Sequence, residues 1–259
     1  MNKKAVAGFM KYRYLLMELV KKGIKLKYRR SYLGLIWTLI EPLLTMVVLT
    51  IVFGTLLGNK ERTFPVYILT GRLIYSMFSG ATGAAMRAIR SNSAMIKKVY
   101  VPKYLYPLSS VLYNYVIFLL SLIVLFIVAL VLKVYPTIYL VQVVVPLITL
   151  LLLSLGVGMI LGTFSVFFRD LEYLWNVALM LIMYMCAIFY YPEKLLNSGY
   201  GFILKYNPLY CIIANFRSAV FGQPINLSYA IYAFGFSMVT LLIGFGVFYR
   251  QQDKFVLHI

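Results

Sequence analysis

Long runs of apolar residues alternate along the chain with short basic connections, and the runs are apolar on all sides rather than on one stripe. A helix crosses the hydrocarbon core of a bilayer in about 20 such residues. Six stretches qualify as candidate spans: 32–57, 64–89, 104–132, 138–168, 174–190 and 227–249. Transmembrane strands would alternate apolar and polar positions, which these runs do not. The pattern therefore predicts an all-α integral membrane fold of six transmembrane helices in one domain covering residues 1–259.

Three segments depart from plain spans. Residues 8–28 carry Tyr12, Leu15, Leu16, Leu19, Val20 and Gly23 at helical spacing, with Lys11, Arg13, Lys21, Lys22 and Lys25 on other faces. That is the pattern of a helix lying in the membrane interface, apolar side toward acyl chains and lysines toward phosphates. Residues 91–102 place Ser91 or Ser93 as a helix cap and Pro102 as a stop. A two-turn helix between them would expose Met95, Ile96, Val99 and Tyr100 beside Lys97 and Lys98, an apolar surface that asks for a docking partner or a lipid surface. Residues 191–224 are too apolar for a solvated loop and too interrupted for a span. They predict two short helices dipping into the outer leaflet, joined at Asn207-Pro208, against the plainer reading of an amphipathic surface hairpin.

Composition narrows this further. Hydrophobic residues make up 63% of the 259 and charged ones 12%, with a mean hydropathy of +0.88. Soluble domains carry about 25% charged residues, so soluble enzymes, nucleic-acid-binding domains and disordered proteins are excluded. The net charge of +18 is unevenly placed. With a cytoplasmic N-terminus, 18 Lys and Arg fall inside and six outside, Arg72 lying within a span. The positive-inside rule then puts both termini in the cytoplasm. The stretch before residue 32 lacks an apolar core and a small-residue cleavage site, so no cleavable signal peptide is expected. Two cysteines, Cys186 and Cys211, and one histidine, His258, offer neither a disulfide framework nor a metal cluster. No G-x-x-x-x-G-K-[ST] stretch is present, so no ATP-binding loop is expected in this chain.

Individual residues then acquire roles. Glu41, inside the first span and before Pro42, is costly there unless paired or wet; it either lines a pore or bonds across a dimer. Arg169 and Asp170 are adjacent, so each finds its partner elsewhere, and Asp170 is placed to cap the following helix, a structural role. Tyr184, Tyr190, Tyr191 and Pro192 mark the outer end of the fifth span.

Several motifs together resemble one family. Lys27-Tyr-Arg-Arg-Ser-Tyr-Leu-Gly-Leu-Ile-Trp37, Glu41-Pro42, Met95-Ile-Lys-Lys-Val-Tyr-Val-Pro102, Phe167-Phe-Arg-Asp-Leu171 and Tyr190-Tyr-Pro192 look like signatures of type 2 permeases of ATP-binding cassette (ABC) exporters. The likeness is to the polysaccharide-export branch, which moves lipid-linked O-antigen, teichoic acid or capsule-like polymers. It implies a multi-pass permease subunit of a bacterial inner membrane, not itself an enzyme. It further implies a second copy of the chain as partner, and two nucleotide-binding subunits that hold ATP and magnesium. Ser93, Met95, Ile96, Lys97, Lys98, Val99 and Tyr100 would be the coupling helix seated in the ATPase. Residues 191–224 would be a re-entrant pair of gate helices, with Tyr184, Tyr190, Tyr191 and Pro192 at the pore. Lys25, Lys27, Arg29 and Arg30 would meet the substrate's phosphate headgroup, the alternative being ordinary anchoring by positive charge. Other readings are a permease for another lipid or hydrophobic drug, and a membrane transferase or scaffold of envelope assembly.

Overall fold

A computed structural model describes residues 3–29, 31–58, 61–98, 101–196 and 199–258. The described residues form helices and turns, without a strand. The elements are α1 (Lys3–Lys27), α2 (Trp37–Leu57), α3 (Phe64–Ser91), α4 (Ser93–Lys98), α5 (Leu105–Val131), α6 (Val144–Phe167), α7 (Leu171–Tyr184), α8 (Glu193–Leu196), α9 (Phe202–Lys205), α10 (Pro208–Val220), α11 (Leu227–Gln251) and α12 (Phe255–His258). Short 3-10 turns lead into α2 and α6 and out of α11.

Four of these helices, with their flanking turns, are long and apolar enough to cross a membrane: Gly34–Leu57, Leu105–Val131, Ile138–Phe167 and Leu227–Lys254. The other two long segments are built differently. α3 has 28 residues, about 42 Å at 1.5 Å per residue, and is the buried centre of the bundle. Its mixed character comes from Arg72, Arg87 and Arg90 among small and apolar residues. α7 has 14 residues, about 21 Å, shorter than the hydrocarbon core.

The main core runs along α3, α5, α6 and α10, with Ile74, Phe78, Ala81, Ala85, Val111, Leu150 and Phe216 fully or almost fully buried. Small residues let backbones meet. A Cβ on Gly156 of α6 would lie 2.6 Å from the Leu241 amide nitrogen of α11, and one on Gly244 would lie 2.5 Å from the Gly156 carbonyl oxygen. Such close approach is how apolar helices associate where no hydrophobic driving force separates them from lipid. A second cluster gathers Leu16 and Leu19 of α1 with Ala88, Ile89, Leu105, Phe248 and Phe255. It binds α1 to the basic end of the bundle, where α4 also lies.

The amphipathic segment read as 8–28 is helical from Lys3. The fifth apolar stretch does not continue as a helix to residue 190: α7 stops at Tyr184. Ala187 takes a left-handed backbone with φ +47°, and Cys186–Phe189 are buried. That conformation is unfavourable for a residue with a Cβ and keeps the chain from running on as a helix through residue 187. Among the described residues between 191 and 224 there are three short helices, α8, α9 and α10, where the sequence suggests two. Asn207 and Pro208 do form the joint: the Asn207 side-chain oxygen accepts from the Leu209 and Tyr210 amides, and Pro208 occupies the first turn of α10.

Candidate functional site

The basic end is organised by α3 and α7. Arg87 Nη1 donates to Glu172 Oε1 at 2.8 Å and Arg90 Nη2 to Oε2 at 3.2 Å. The two arginines, three positions apart on α3, share a face and grip one carboxylate in the first turn of α7. Arg87, with help from Arg90, holds the Glu172 carboxyl below its ordinary value of 4.5. Two more polar ties follow along α7. Trp175 Nε1 donates to Thr82 Oγ1 at 3.2 Å, and the Tyr75 hydroxyl donates to the Leu179 carbonyl at 2.9 Å. Glu172, Trp175 and Leu179 lie on one helical stripe, so α7 hangs on α3 along a single polar seam.

α4 follows α3 after Asn92, whose carbonyl accepts from the Met95 and Ile96 amides. Ser91 is not its cap: that hydroxyl turns back to the Arg87 carbonyl at 2.7 Å. Ser93 is the first residue of α4, which is described as far as Lys98. Lys97 and Lys98 are exposed, whereas Met95 and Ile96 are half-buried against the α1–α3–α5 cluster. The apolar turn is therefore partly satisfied within the chain, a correction to its reading as fully presented. Val99 and Tyr100 lie outside the described residues, as does Arg30.

Of the proposed headgroup residues, Lys25, Lys27 and Arg29 are exposed at the end of α1. Lys27 and Glu41 line one cavity with Arg72 and Asn114. Arg169 and Asp170 are exposed. Asp170 occupies the position before α7 but its side chain makes no cap bond, so the acidic residue serving that helix end is Glu172.

The far end is held by a residue that counting charges placed among the outer cations. Arg217 of α10 is 6% exposed. Nη1 donates to the Ala187 carbonyl at 2.9 Å, and Nη2 to the Tyr67 carbonyl at 3.1 Å and the Ile188 carbonyl at 3.4 Å. Nε donates to Thr70 Oγ1 at 3.4 Å, and the guanidinium lies 3.5 Å over the Tyr67 ring. The Tyr67 hydroxyl in turn donates to the Ala187 and Tyr190 carbonyls at 3.1 and 2.8 Å. The non-helical chain after α7 is thus fastened to α3 and α10 through its own backbone. Of the aromatic residues assigned to this end, Tyr190 donates to the Tyr184 carbonyl at 2.9 Å and Tyr191 to Glu61 Oε2 at 2.7 Å. Tyr184 is exposed, and Tyr191 packs 4.7 Å from the Tyr67 ring. Pro192 precedes α8 and its carbonyl accepts from Leu195 and Leu196. The signal for Arg217 was in the sequence: one arginine inside the apolar run 208–221 has to find acceptors.

A helical bundle with a basic end, an arginine-bound break at the other, and apolar spans between is the architecture of a multi-pass membrane protein. The chain belongs to the ABC-2 type transporter family, whose pattern it matches over residues 14–221. Similar proteins include an O-antigen export system permease protein RfbA of Klebsiella pneumoniae, 26% identical over 93% of each chain. RfbA of Myxococcus xanthus is 26% identical over 96% of this chain and 97% of its own. The polysialic acid transport protein KpsM of Escherichia coli is 23% identical over 98% and 99%.

Proposed function

We propose that this chain is the permease subunit of an ATP-driven exporter carrying a lipid-linked polysaccharide outward across a bacterial inner membrane. The observation that carries the reading is near full-length similarity to proteins named for O-antigen export and polysialic acid transport. ATP and magnesium belong to two nucleotide-binding partner subunits. Two copies of this chain enclose the path, since one small bundle cannot wall a polysaccharide channel on all sides.

In this reading α3 and α7, with the buried turn after Tyr184, complete six spans, and both termini and α4 are cytoplasmic. α8, α9 and α10 act as the outer gate, with Tyr184, Tyr190, Tyr191 and Pro192 at its edge. Nucleotide binding in the partner moves α4, and Ser93, Met95, Ile96, Lys97, Lys98, Val99 and Tyr100 are the residues that meet the ATPase. The displacement passes from α3 through Arg87 and Arg90 to Glu172, along α7, and reaches the turn that Arg217 fastens. Lys25, Lys27, Arg29 and Arg30 gather the headgroup at the lateral entrance. Glu41 faces the interior near that entrance, and Arg169 and Asp170 support the start of α7.

The test is co-purification from native membranes. A nucleotide-binding subunit whose ATP hydrolysis depends on this chain, with loss of surface polysaccharide on deletion, is expected. A chain that purifies without an ATPase and whose deletion leaves envelope glycans in place overturns the reading.

A further inference from the structure

Four elements converge on a half-open cavity of about 80 Å³ beside the end of α1. Lys27 comes from α1, Glu41 and Thr45 from α2, Arg72 from α3 and Asn114 from α5. Two cations and a carboxylate at the edge of a membrane bundle are costly unless they serve a purpose or pair with one another. Among the described residues, neither Lys27 nor Arg72 makes an ion pair with Glu41. The cavity therefore holds three charges that face common space without closing on themselves.

The neutral walls limit what can enter. Thr45 donates its hydroxyl proton to the Glu41 carbonyl at 2.9 Å, and Asn114 its amide to the Ser110 carbonyl at 2.9 Å. Thr45 is thereby committed as a donor while Asn114 keeps one amide N–H, and an incoming group finds its charged donors in the Lys27 ammonium and the Arg72 guanidinium. Lys27 and Glu41 are exposed at the mouth, while Arg72 is partly buried. Two positive charges against one negative leave a single positive charge to be balanced.

We propose that this cavity binds one phosphodiester monoanion of a lipid, with Arg72 and Lys27 as its donors and Glu41 setting the charge it accepts. The inference rests on the membrane-exporter reading, since it needs the cavity to open toward lipid. A guanidinium and an ammonium grip phosphate oxygens, and the carboxylate disfavours a second negative charge. Monoanionic diesters are thereby preferred over dianionic monoesters, and over zwitterionic lipids whose own cation neutralises the phosphate. The phosphodiester can belong to a bulk anionic lipid or to a phosphate-linked glycan carrier.

Native mass spectrometry of the full-length chain, released from detergent after titration with phosphatidylglycerol, phosphatidylcholine or phosphatidic acid, tests this. Wild type is expected to retain phosphatidylglycerol at about tenfold lower concentration than phosphatidylcholine, and Arg72→Gln to lose that preference, each tenfold being about 1.4 kcal/mol. Glu41→Gln moves the other way: it binds phosphatidylglycerol more tightly and admits phosphatidic acid. Opposite signs from two cavity variants are not what a folding defect produces. Equal retention of phosphatidylglycerol and phosphatidylcholine by wild type, or an unchanged profile in Glu41→Gln, overturns the site. Competition by a polyprenyl phosphosugar separates the sources: displacement of phosphatidylglycerol assigns the site to the carrier headgroup, and its absence assigns it to bulk lipid. Glycan export by a wild-type chain that does not discriminate these lipids removes the site and leaves the exporter reading intact. Discrimination without any glycan export does the reverse.

Discussion

Arg87 and Glu172, 85 positions apart in sequence, meet at 2.8 Å and tie the basic end of α3 to the first turn of α7. The Arg87 side chain is half-exposed, so the pair itself contributes about 0.2–1 kcal/mol to stability. In the proposed exporter its consequence is mechanical rather than energetic, because α4 follows the same end of α3. Glu172→Gln is expected to leave expression and melting temperature nearly unchanged while lowering export and partner-stimulated ATP hydrolysis several-fold. The reversed pair Arg87→Glu with Glu172→Arg should recover part of that loss, which neither single variant does. Equal loss in the single and double variants counts against the tie.

The same contact sets an acid limit. A carboxyl held below its ordinary value of 4.5 in the fold stabilises the protein at pH above that value. That contribution disappears as pH falls through the depressed folded value. Between about pH 6 and 8, where Glu172 is ionised in both states, the small melting-temperature gap between wild type and Glu172→Gln should not change with pH. Below about pH 4.5 the wild-type melting temperature should fall toward that of Glu172→Gln. Melting curves in detergent across pH 3–8 check the convergence.

Lys97 and Lys98 separate coupling from folding. Both are exposed on α4, whereas Met95 and Ile96 pack against the cluster around Leu16 and Leu19. Replacing both lysines with Glu should leave the chain monodisperse and thermally normal but weaken capture of the ATPase, seen as lost co-purification and basal-level hydrolysis. Ile96→Asp should fail in both respects, because burying part of an aspartate beside leucines costs stability of about 1–3 kcal/mol. Retained stimulation in the double Glu variant excludes the lysines from the docking surface.

Arg217 gives the largest expected stability effect. Removing the guanidinium leaves the carbonyls of Tyr67, Ala187 and Ile188 without that donor in a buried site. Bonds to a charged donor are worth about 1.5–3 kcal/mol, so Arg217→Ala should cost on the order of 3 kcal/mol. Arg217→Lys should rescue little, since one ammonium cannot reproduce a planar fork that also stacks on Tyr67. Thermal unfolding, together with protease cleavage between residues 185 and 207, reads the loss directly.

The amphipathic face of α1 and the Asn207-Pro208 joint were legible because they rest on local spacing and capping, and the short helix at Ser93 was legible although neither serine expected as its cap serves as one. The turn at Ala187 was not. Nothing in Met185-Cys-Ala-Ile-Phe189 forbids a helix, and the left-handed residue is imposed by Arg217 and Tyr67 from 30 and 120 positions away. The same holds for Glu172: the sequence shows a carboxylate near a span, but only the fold brings two arginines to it. Charge counting sorted Arg217 with the outer lysines, since it weighs sign and position and not burial. Local physics thus reaches the helices, and long-range polar pairing decides where they stop and what they hold.

The contact between α6 and α11 offers an internally controlled stability test. Gly156 and Gly244 face each other so closely that a methyl group on either meets backbone, not a yielding side chain. Gly235, also on α11, has no atom within 4 Å of an added Cβ. Overpacking costs about 1–3 kcal/mol, and here the two helix backbones would have to separate, so Gly156→Leu and Gly244→Leu belong at the upper end. Gly235→Leu should be neutral, or gain up to about 1 kcal/mol from helix propensity. Melting temperatures of the three variants in one detergent make the comparison. A Gly235→Leu loss as large as that of Gly244→Leu would show that the Gly235 face is also packed in the assembled transporter.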